Sequence, residues 1–157
     1  MATEKLIKLV DLKNIDESAF TRRCVSCLIL TRDNKILLQQ RGTDWQTFPG
    51  CLAAFGGTID SNETPIQALV RELHEELGAK VNVDEIVSLG AATEGVTHYK
   101  ELNYLYFWHD KDGTITGCYE GEARYYDDVK APLSHPKIMD DVQWLLRECR
   151  QRKLIKR

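Results

Sequence analysis

Apolar positions recur along this chain with two different periods, and the change of period marks its elements. In "CVSCLILTRDNKILLQQR" (24–41), aliphatic and β-branched residues run almost unbroken on either side of a polar turn at Arg32, Asp33 and Asn34. Such runs bounded by turn residues predict two strands. "WQTFPGCLAAFGGTID" (45–60) follows as a loop through Pro49 and Gly50, then a short apolar strand reaching the pair Gly56-Gly57. "KVNVDEIVSLGAAT" and "ELNYLYFWHD" read as further strands, the second rich in the aromatic residues that strands favour. "KDGT" at 111–114 is a turn, and "EGEARYYDDV" a strand entering a polar loop.

Two stretches switch to the helical period. Ile66, Leu69, Val70, Leu73 and Leu77 fall three and four apart, which places them on one stripe of a helix over 65–77. Thr64 and Gln67 are spaced to form a capping box, Pro65 suits the first helical position, and Gly78 suits the left-handed stop. Near the end of the chain, Ile138, Met139, Val142, Leu145, Leu146 and Cys149 form a second stripe, with a helix expected over 135–152 and Ser134 as its cap. Strands around two well-separated helices predict an α+β fold, a mixed β-sheet between helices. Residues 1–20 read either as an N-terminal extension with an edge strand or as a short helix.

The chain has 157 residues, without repeats or linkers, which fits one domain over 1–157. Apolar residues at 43% and charged residues at 29% are ordinary for a globular protein. No apolar run approaches the roughly 20 residues needed to span a bilayer, so no membrane partner is expected. The opening "MATEKLIKLVDLKNIDES" is too charged for a secretory signal, and a cytoplasmic address is the expectation. A net charge of −3 offers no field to attract nucleic acid. Five cysteines are scattered, and the one C-x-x-C, Cys24 and Cys27, lies in a strand where residues three apart face opposite ways. Buried free thiols are expected there, not a metal site.

One cluster resists the ordinary reading. On the 65–77 helix, Glu75 lies about 60° to one side of Glu72 and Glu76 about 40° to the other. Like charges at this spacing repel by a few tenths of a kcal/mol per pair. They also occupy the C-terminal half, where the helix dipole disfavours negative charge. A hard divalent cation reverses the argument, because Mg²⁺ and Mn²⁺ take oxygen ligands and bridge to phosphates.

The spacing of Gly57, Glu63, Arg71-Glu72-Leu73, Glu75-Glu76 and Gly78-Ala79 resembles the Nudix box, with every fixed identity present and Ala79 standing where a larger aliphatic residue is usual. The resemblance implies a MutT-like α/β/α sandwich that hydrolyses the pyrophosphate bond of a nucleoside triphosphate or other nucleoside diphosphate derivative, with Mg²⁺ or Mn²⁺ as cofactor. By the same resemblance, Glu72, Glu75, Glu76 and the carbonyl of Gly57 are metal ligands. Arg71 orients a box glutamate together with Glu63, and Gly78 closes the helix. The base that takes the proton from water is either Glu72 or a later glutamate, for which Glu120 and Glu122 are candidates.

Tyr104, Tyr106, Phe107, Trp108, Trp45, Phe48, Tyr125 and Tyr126 offer surfaces for a base to stack, although core packing is the simpler use for most of them. His98 and Tyr99 are candidates to border the pocket, and Arg147, Arg150, Arg152, Lys153, Lys156 and Arg157 form a basic end. Two alternatives on the same fold are a non-catalytic nucleotide sensor and an enzyme acting on RNA 5′ ends; the intact glutamate set argues against the first. "LLQQRGTDWQTFPG" (37–50) also resembles the corresponding segment of isopentenyl diphosphate isomerases, but Gly56 stands where those carry a cysteine. Members of the family are often homodimers, and residues 1–20 are available for such a contact.

Overall fold

A computed structural model describes residues 7–156. Its strands are β1 (Ile7–Val10), β2 (Arg22–Leu30), β3 (Ile36–Gln40), β4 (Leu52–Ala53), β5 (Phe55–Thr58), β6 (Val87–Glu94), β7 (Glu101–His109) and β8 (Glu122–Tyr126). The helices are α1 (Pro65–Leu77), the short α2 (Lys130–Leu133) and α3 (Asp140–Gln151). The strands form one mixed sheet in the order β1-β6-β7-β2-β3-β4, with β5 also on β2 and β8 also on β3. β2 and β7 run parallel from Arg22 opposite Glu101 to Leu30 opposite His109. The other strand pairings are antiparallel.

Alternation along β2 sorts the interior into two layers. Val25, Cys27 and Ile29 pack with Phe55, Leu69, Leu73 and Leu77 beneath α1. Leu28 and Leu30 pack with Leu105, Val142, Leu145 and Leu146 beneath α3. The sheet therefore lies between the two helices, as the α+β reading requires. Cys24 and Cys27 do fall on opposite faces: Cys27 is buried under α1, Cys24 is partly exposed, and both are free thiols.

α1 begins and ends as its sequence demands. Thr64 accepts from the Gln67 backbone N–H at 3.2 Å, and the Gln67 side chain accepts from the Thr64 N–H at 3.0 Å. Gly78 takes the left-handed conformation, φ 66°. Ala68, Leu69, Leu73 and Leu77 are buried on this helix, while Ile66 and Val70 are only partly so. The buried stripe is rotated toward Glu76, which is itself buried.

The C-terminal helix is shorter than the 135–152 expected. It starts at Asp140, capped by the extended residue Met139. Ser134 does not cap it; Ser134 instead ends α2, its hydroxyl donating to the Ala131 carbonyl at 2.8 Å. The physical reason is the backbone of Leu52, which bonds Lys137 and Met139 on either side of Ile138 and draws that segment into an extended bridge. At the other end of the chain, β1 pairs with β6 as the edge strand, Ile7 opposite Glu94. The part of the 1–20 reading that falls on residues 1–6 lies outside the described residues.

Gly56 takes φ +147° on β5, and a Cβ built there would lie 2.0 Å from the carbonyl oxygen of Val25 on β2. Gly56→Ala is expected to lower the melting temperature by at least about 5 °C, because the clash is with backbone that cannot yield. Thermal denaturation checks this, and an unchanged midpoint would contradict the close approach.

Candidate active site

The site grows from the junction of β5 and α1. Arg71, at the middle of α1, binds Glu63 with two parallel hydrogen bonds, Nε to Oε2 at 2.7 Å and Nη2 to Oε1 at 2.8 Å. Its Nη1 donates to Glu72 at 2.8 Å and to Glu75 at 3.2 Å, and Nη2 also donates to the Thr58 carbonyl at 3.0 Å. One guanidinium thus ties the loop before α1, the end of β5 and two helix glutamates into one unit. The planar fork of arginine suits this, where a point-charge lysine would not. The Arg71 fork and the Asp60 N–H hold the Glu63 carboxyl down to about 2.

Glu72 leans over the backbone. A Cβ at Gly57 would lie 2.5 Å from Glu72 Oε2, so only glycine leaves room for that carboxylate against the chain. Burial raises its pKa above the ordinary carboxylate range, against the pull of Arg71, and the charges of Glu75 and Glu120 add to the rise.

Glu76 turns inward. It is 2% exposed, and its Oε1 accepts from the Gly56 N–H at 3.0 Å. Burial first, then the charges of Glu120 and Glu72, push its carboxyl up to about 9.

Glu120 arrives from a distant loop because that loop closes the end of α1. A helix leaves its last carbonyls without partners. Here Tyr119 donates its N–H to the Glu76 carbonyl at 2.8 Å, and Thr116 donates to the Leu77 carbonyl at 2.9 Å. Gln39 Nε2 then donates to the Glu120 carbonyl at 3.0 Å.

These residues sit at one end of a cleft of about 200 Å³, lined there by Gly56, Gly57, Glu76, Glu120, Gln39 and Arg41. Arg41 lies over the Trp45 ring at 4.4 Å, and its Nη2 donates to the Thr47 carbonyl at 2.8 Å.

The structure therefore sets Glu72 against Gly57 and leaves Glu76 under the electrostatic influence of Glu72 and Glu120. It does not bring Glu122 to them: Glu122 is exposed and paired with Arg124 at 3.0 Å. Glu75 is more exposed than expected, its side chain 54% accessible and bound to Arg71. Among the described residues, no group of three or more acidic, histidine or cysteine side chains is already gathered to hold a metal ion. The convergence of Glu72, Glu75 and Glu76 read from the helix is thus incomplete. Arg71 draws Glu72 and Glu75 one way, while Glu76 follows the buried stripe the other.

The aromatic residues divide similarly. Tyr106, Phe107 and Trp108 are core, whereas Phe48 lines the cleft. At the loop after β6 the cleft is lined by Val96 and Thr97 instead of His98 and Tyr99. None of the described basic residues of the C-terminal end lines it, and Arg157 lies outside the described residues. Sequence reasoning missed Arg41, and it missed Glu94, Asn103 and Asp141, which line the same cleft. Asn103 left a trace, as an amide inside an otherwise apolar strand.

The family model of the NUDIX domain matches residues 20–144. The chain is similar to a CTP pyrophosphohydrolase of Escherichia coli (strain K12), 33% identical over 127 residues that cover 77% of this chain and 87% of that protein. It is similar to an ADP-ribose pyrophosphatase of Methanocaldococcus jannaschii, 29% identical over 147 residues, 90% of this chain and 85% of that one. In fold it resembles the MutT protein from Methanosarcina mazei Go1, with a TM-score of 0.66 at 20% identity over 84% of this chain and 95% of that chain.

Because Glu76 in the folded protein holds its proton far above its ordinary 4.5, its contribution to stability is complete below about pH 4.5 and is lost as pH rises toward about 9. Glu76→Gln removes that loss while keeping an oxygen for the Gly56 N–H. In chelator, the variant should melt above the parent protein by a margin that widens from pH 5 to pH 9. Melting curves across that range check it, and a margin independent of pH would refute the burial of an uncompensated carboxyl.

Proposed function

The chain belongs to the NUDIX family and is a pyrophosphohydrolase of that family, and on that premise we propose that it hydrolyses a nucleoside triphosphate or another nucleoside diphosphate derivative with the help of a divalent cation. The observation that carries this reading is that Gly57, Glu76 and Glu120 line one end of the cleft, with the Glu72 carboxylate packed against Gly57.

The residues fit a hard cation by their chemistry. Glu72 and Glu76 are oxygen donors, and burial and mutual repulsion raise their carboxyls. Such a set gains from a positive charge placed among its members. Glu72 and Glu76, with the main-chain oxygen of Gly57, would hold Mg²⁺ or Mn²⁺, and Glu75 stands at the rim. The cation would neutralise phosphate charge and make water a better nucleophile.

The chain supplies the rest. Arg71 fixes one oxygen of Glu72, so that carboxylate keeps its aim while the site fills and empties. Glu120 is the proposed proton acceptor for the attacking water: it sits within hydrogen-bond reach of Glu76 on a loop with open access, whereas Glu72 is engaged by Arg71. Arg41, braced by Trp45 and Thr47, faces the acidic cluster across the cleft and would bind phosphate oxygens.

The test is phosphate or pyrophosphate release from nucleoside triphosphates, ADP-ribose and nucleotide sugars, with and without Mg²⁺ or Mn²⁺. Metal-dependent turnover of at least one substrate is expected. Glu76→Gln and Glu120→Gln should each reduce kcat by about a hundredfold or more, and Glu122→Gln by less than about threefold. Tight nucleotide binding with no turnover under either metal would overturn hydrolysis in favour of a sensor. Equal losses for Glu120→Gln and Glu122→Gln would remove the assigned base.

A further inference from the structure

The cleft has a second polar end, away from the box glutamates. Glu94 closes β6, Asn103 lies in β7 and Asp141 stands in the first turn of α3. Their exposures are 8%, 8% and 7%. Asn103 joins them: its Nδ2 donates to Glu94 Oε1 and to Asp141 Oδ2, both at 3.3 Å, and its Oδ1 accepts from the Ser26 hydroxyl at 3.1 Å. Asp141 Oδ1 accepts from the Val142 N–H at 2.9 Å. Both amide hydrogens of Asn103 are then committed. Among the described residues, Glu94 Oε2 is buried with no hydrogen-bond partner.

Two carboxyls buried side by side, without a basic partner among the described residues, make a poor structural device. An apolar pair would pack at no desolvation cost, and a buried acceptor left unpaired is costly. The groups around Glu94 worsen its position: Asp141 and Asp140 from α3 and Glu101 from β7 are all acidic. Burial and these charges raise the Glu94 carboxyl, and burial raises that of Asp141. Even with one proton held between the two, the oxygen lone pairs of this pair outnumber the hydrogens available to them. A ligand group that brings hydrogens satisfies this end; one that brings only a carbonyl oxygen meets lone pairs.

The distance to the reacting end follows from the sheet. Cys24 is opposite Asn103 on β7, and Ser26 is opposite Gly56 on β5. The two ends are thus separated by two strand spacings and a two-residue offset along β2, roughly 12 Å. A base at one end leaves its sugar to bridge toward phosphates at the other.

We infer that Glu94, Asn103 and Asp141 form a specificity site for a nucleobase carrying an exocyclic amino group, as cytosine and adenine do, against the oxo counterparts uracil and hypoxanthine. This rests on the nucleotide reading of the cleft. It places discrimination on an acceptor-rich pair of acids, with the amine donating to Glu94 Oε2 and Asp141. A site built to bond an amine rejects the analogue lacking it because its own buried acceptors stay unpaired.

The experiment uses nucleoside monophosphates, which have no pyrophosphate bond, so binding is read apart from turnover. Calorimetry with CMP against UMP, and AMP against IMP, should show the amino member binding at least about tenfold tighter in each pair. Glu94→Gln places an N–H₂ donor where Oε2 stood while its amide oxygen still accepts from Asn103. It should shrink both ratios about tenfold and move them toward the oxo member. Should that variant fail to fold, Glu94→Ala replaces it, with both ratios expected near one. Equal binding of the paired ligands by the wild-type protein, preference for the oxo member, or no binding of any of the four overturns the assignment. So does a Glu94→Gln protein that keeps the wild-type ratios. Discrimination without metal-dependent hydrolysis would instead sink the catalytic reading and leave this one standing.

Discussion

Everything in this fold hangs on β2. One flank of it is paired with β7 along its whole length, and its other flank is shared between β5 at Cys24–Cys27 and β3 at Ile29–Leu30. Two strands cannot occupy one flank without diverging, and the divergence opens the sheet where Gln39, Ala53, Gly56 and Ser26 line the cleft. The same strand separates the interiors, because its odd residues lie under α1 and its even ones under α3. The cleft is therefore a product of strand pairing, and its walls are as fixed as the core. Gly56 marks the tightest point, where β5 passes so close to β2 that no side chain fits.

Charge is distributed in that frame against the grain of stability. Burying carboxyls costs free energy unless cations or hydrogen-bond donors compensate. Arg71 compensates Glu63 fully and Glu72 in part. Glu76 has one backbone N–H and two acidic neighbours, and Glu94 has one amide hydrogen. A chain under pressure for stability alone would place leucine or glutamine at such positions. The uncompensated carboxyls line one cleft, which is the pattern expected when a ligand, and not the protein, supplies the missing positive charge or hydrogens.

Much of this was legible from the sequence, for definite physical reasons. The bounds of α1 were readable because Thr64, Pro65, Gln67 and Gly78 act locally, through hydrogen bonds and backbone preferences within a few residues. The glutamate spacing was readable because a helix converts separation directly into angle. What could not be read depends on partners far along the chain. Glu76 looks equivalent to Glu75 on a helical wheel, yet one is buried and the other exposed, because the stripe is rotated by its contact with β5. Ser134 had the chemistry of a cap, but the backbone of Leu52 holds the following residues extended. Nothing in the sequence sets Glu94 and Asp141 apart from the other acids, and only the packing of β6, β7 and α3 brings them to one amide.

The choice between Glu120 and Glu122 shows the same limit at the finest scale. They are two residues apart, and in a continuous strand they would share a face. They do not, because Gly121 at φ 71° turns the chain between them, in a space where a side chain would press on Gln39 and the Gln40 backbone. Beyond that glycine, β8 is regular, and Glu122 and Arg124 share one face as an ion pair. Before it, the chain belongs to the loop that satisfies the last carbonyls of α1. Glu120 is therefore delivered to the buried glutamate by the requirement that the helix end be hydrogen-bonded. A purely structural need of the helix that carries Glu72 and Glu76 thereby fixes where the third carboxylate must stand.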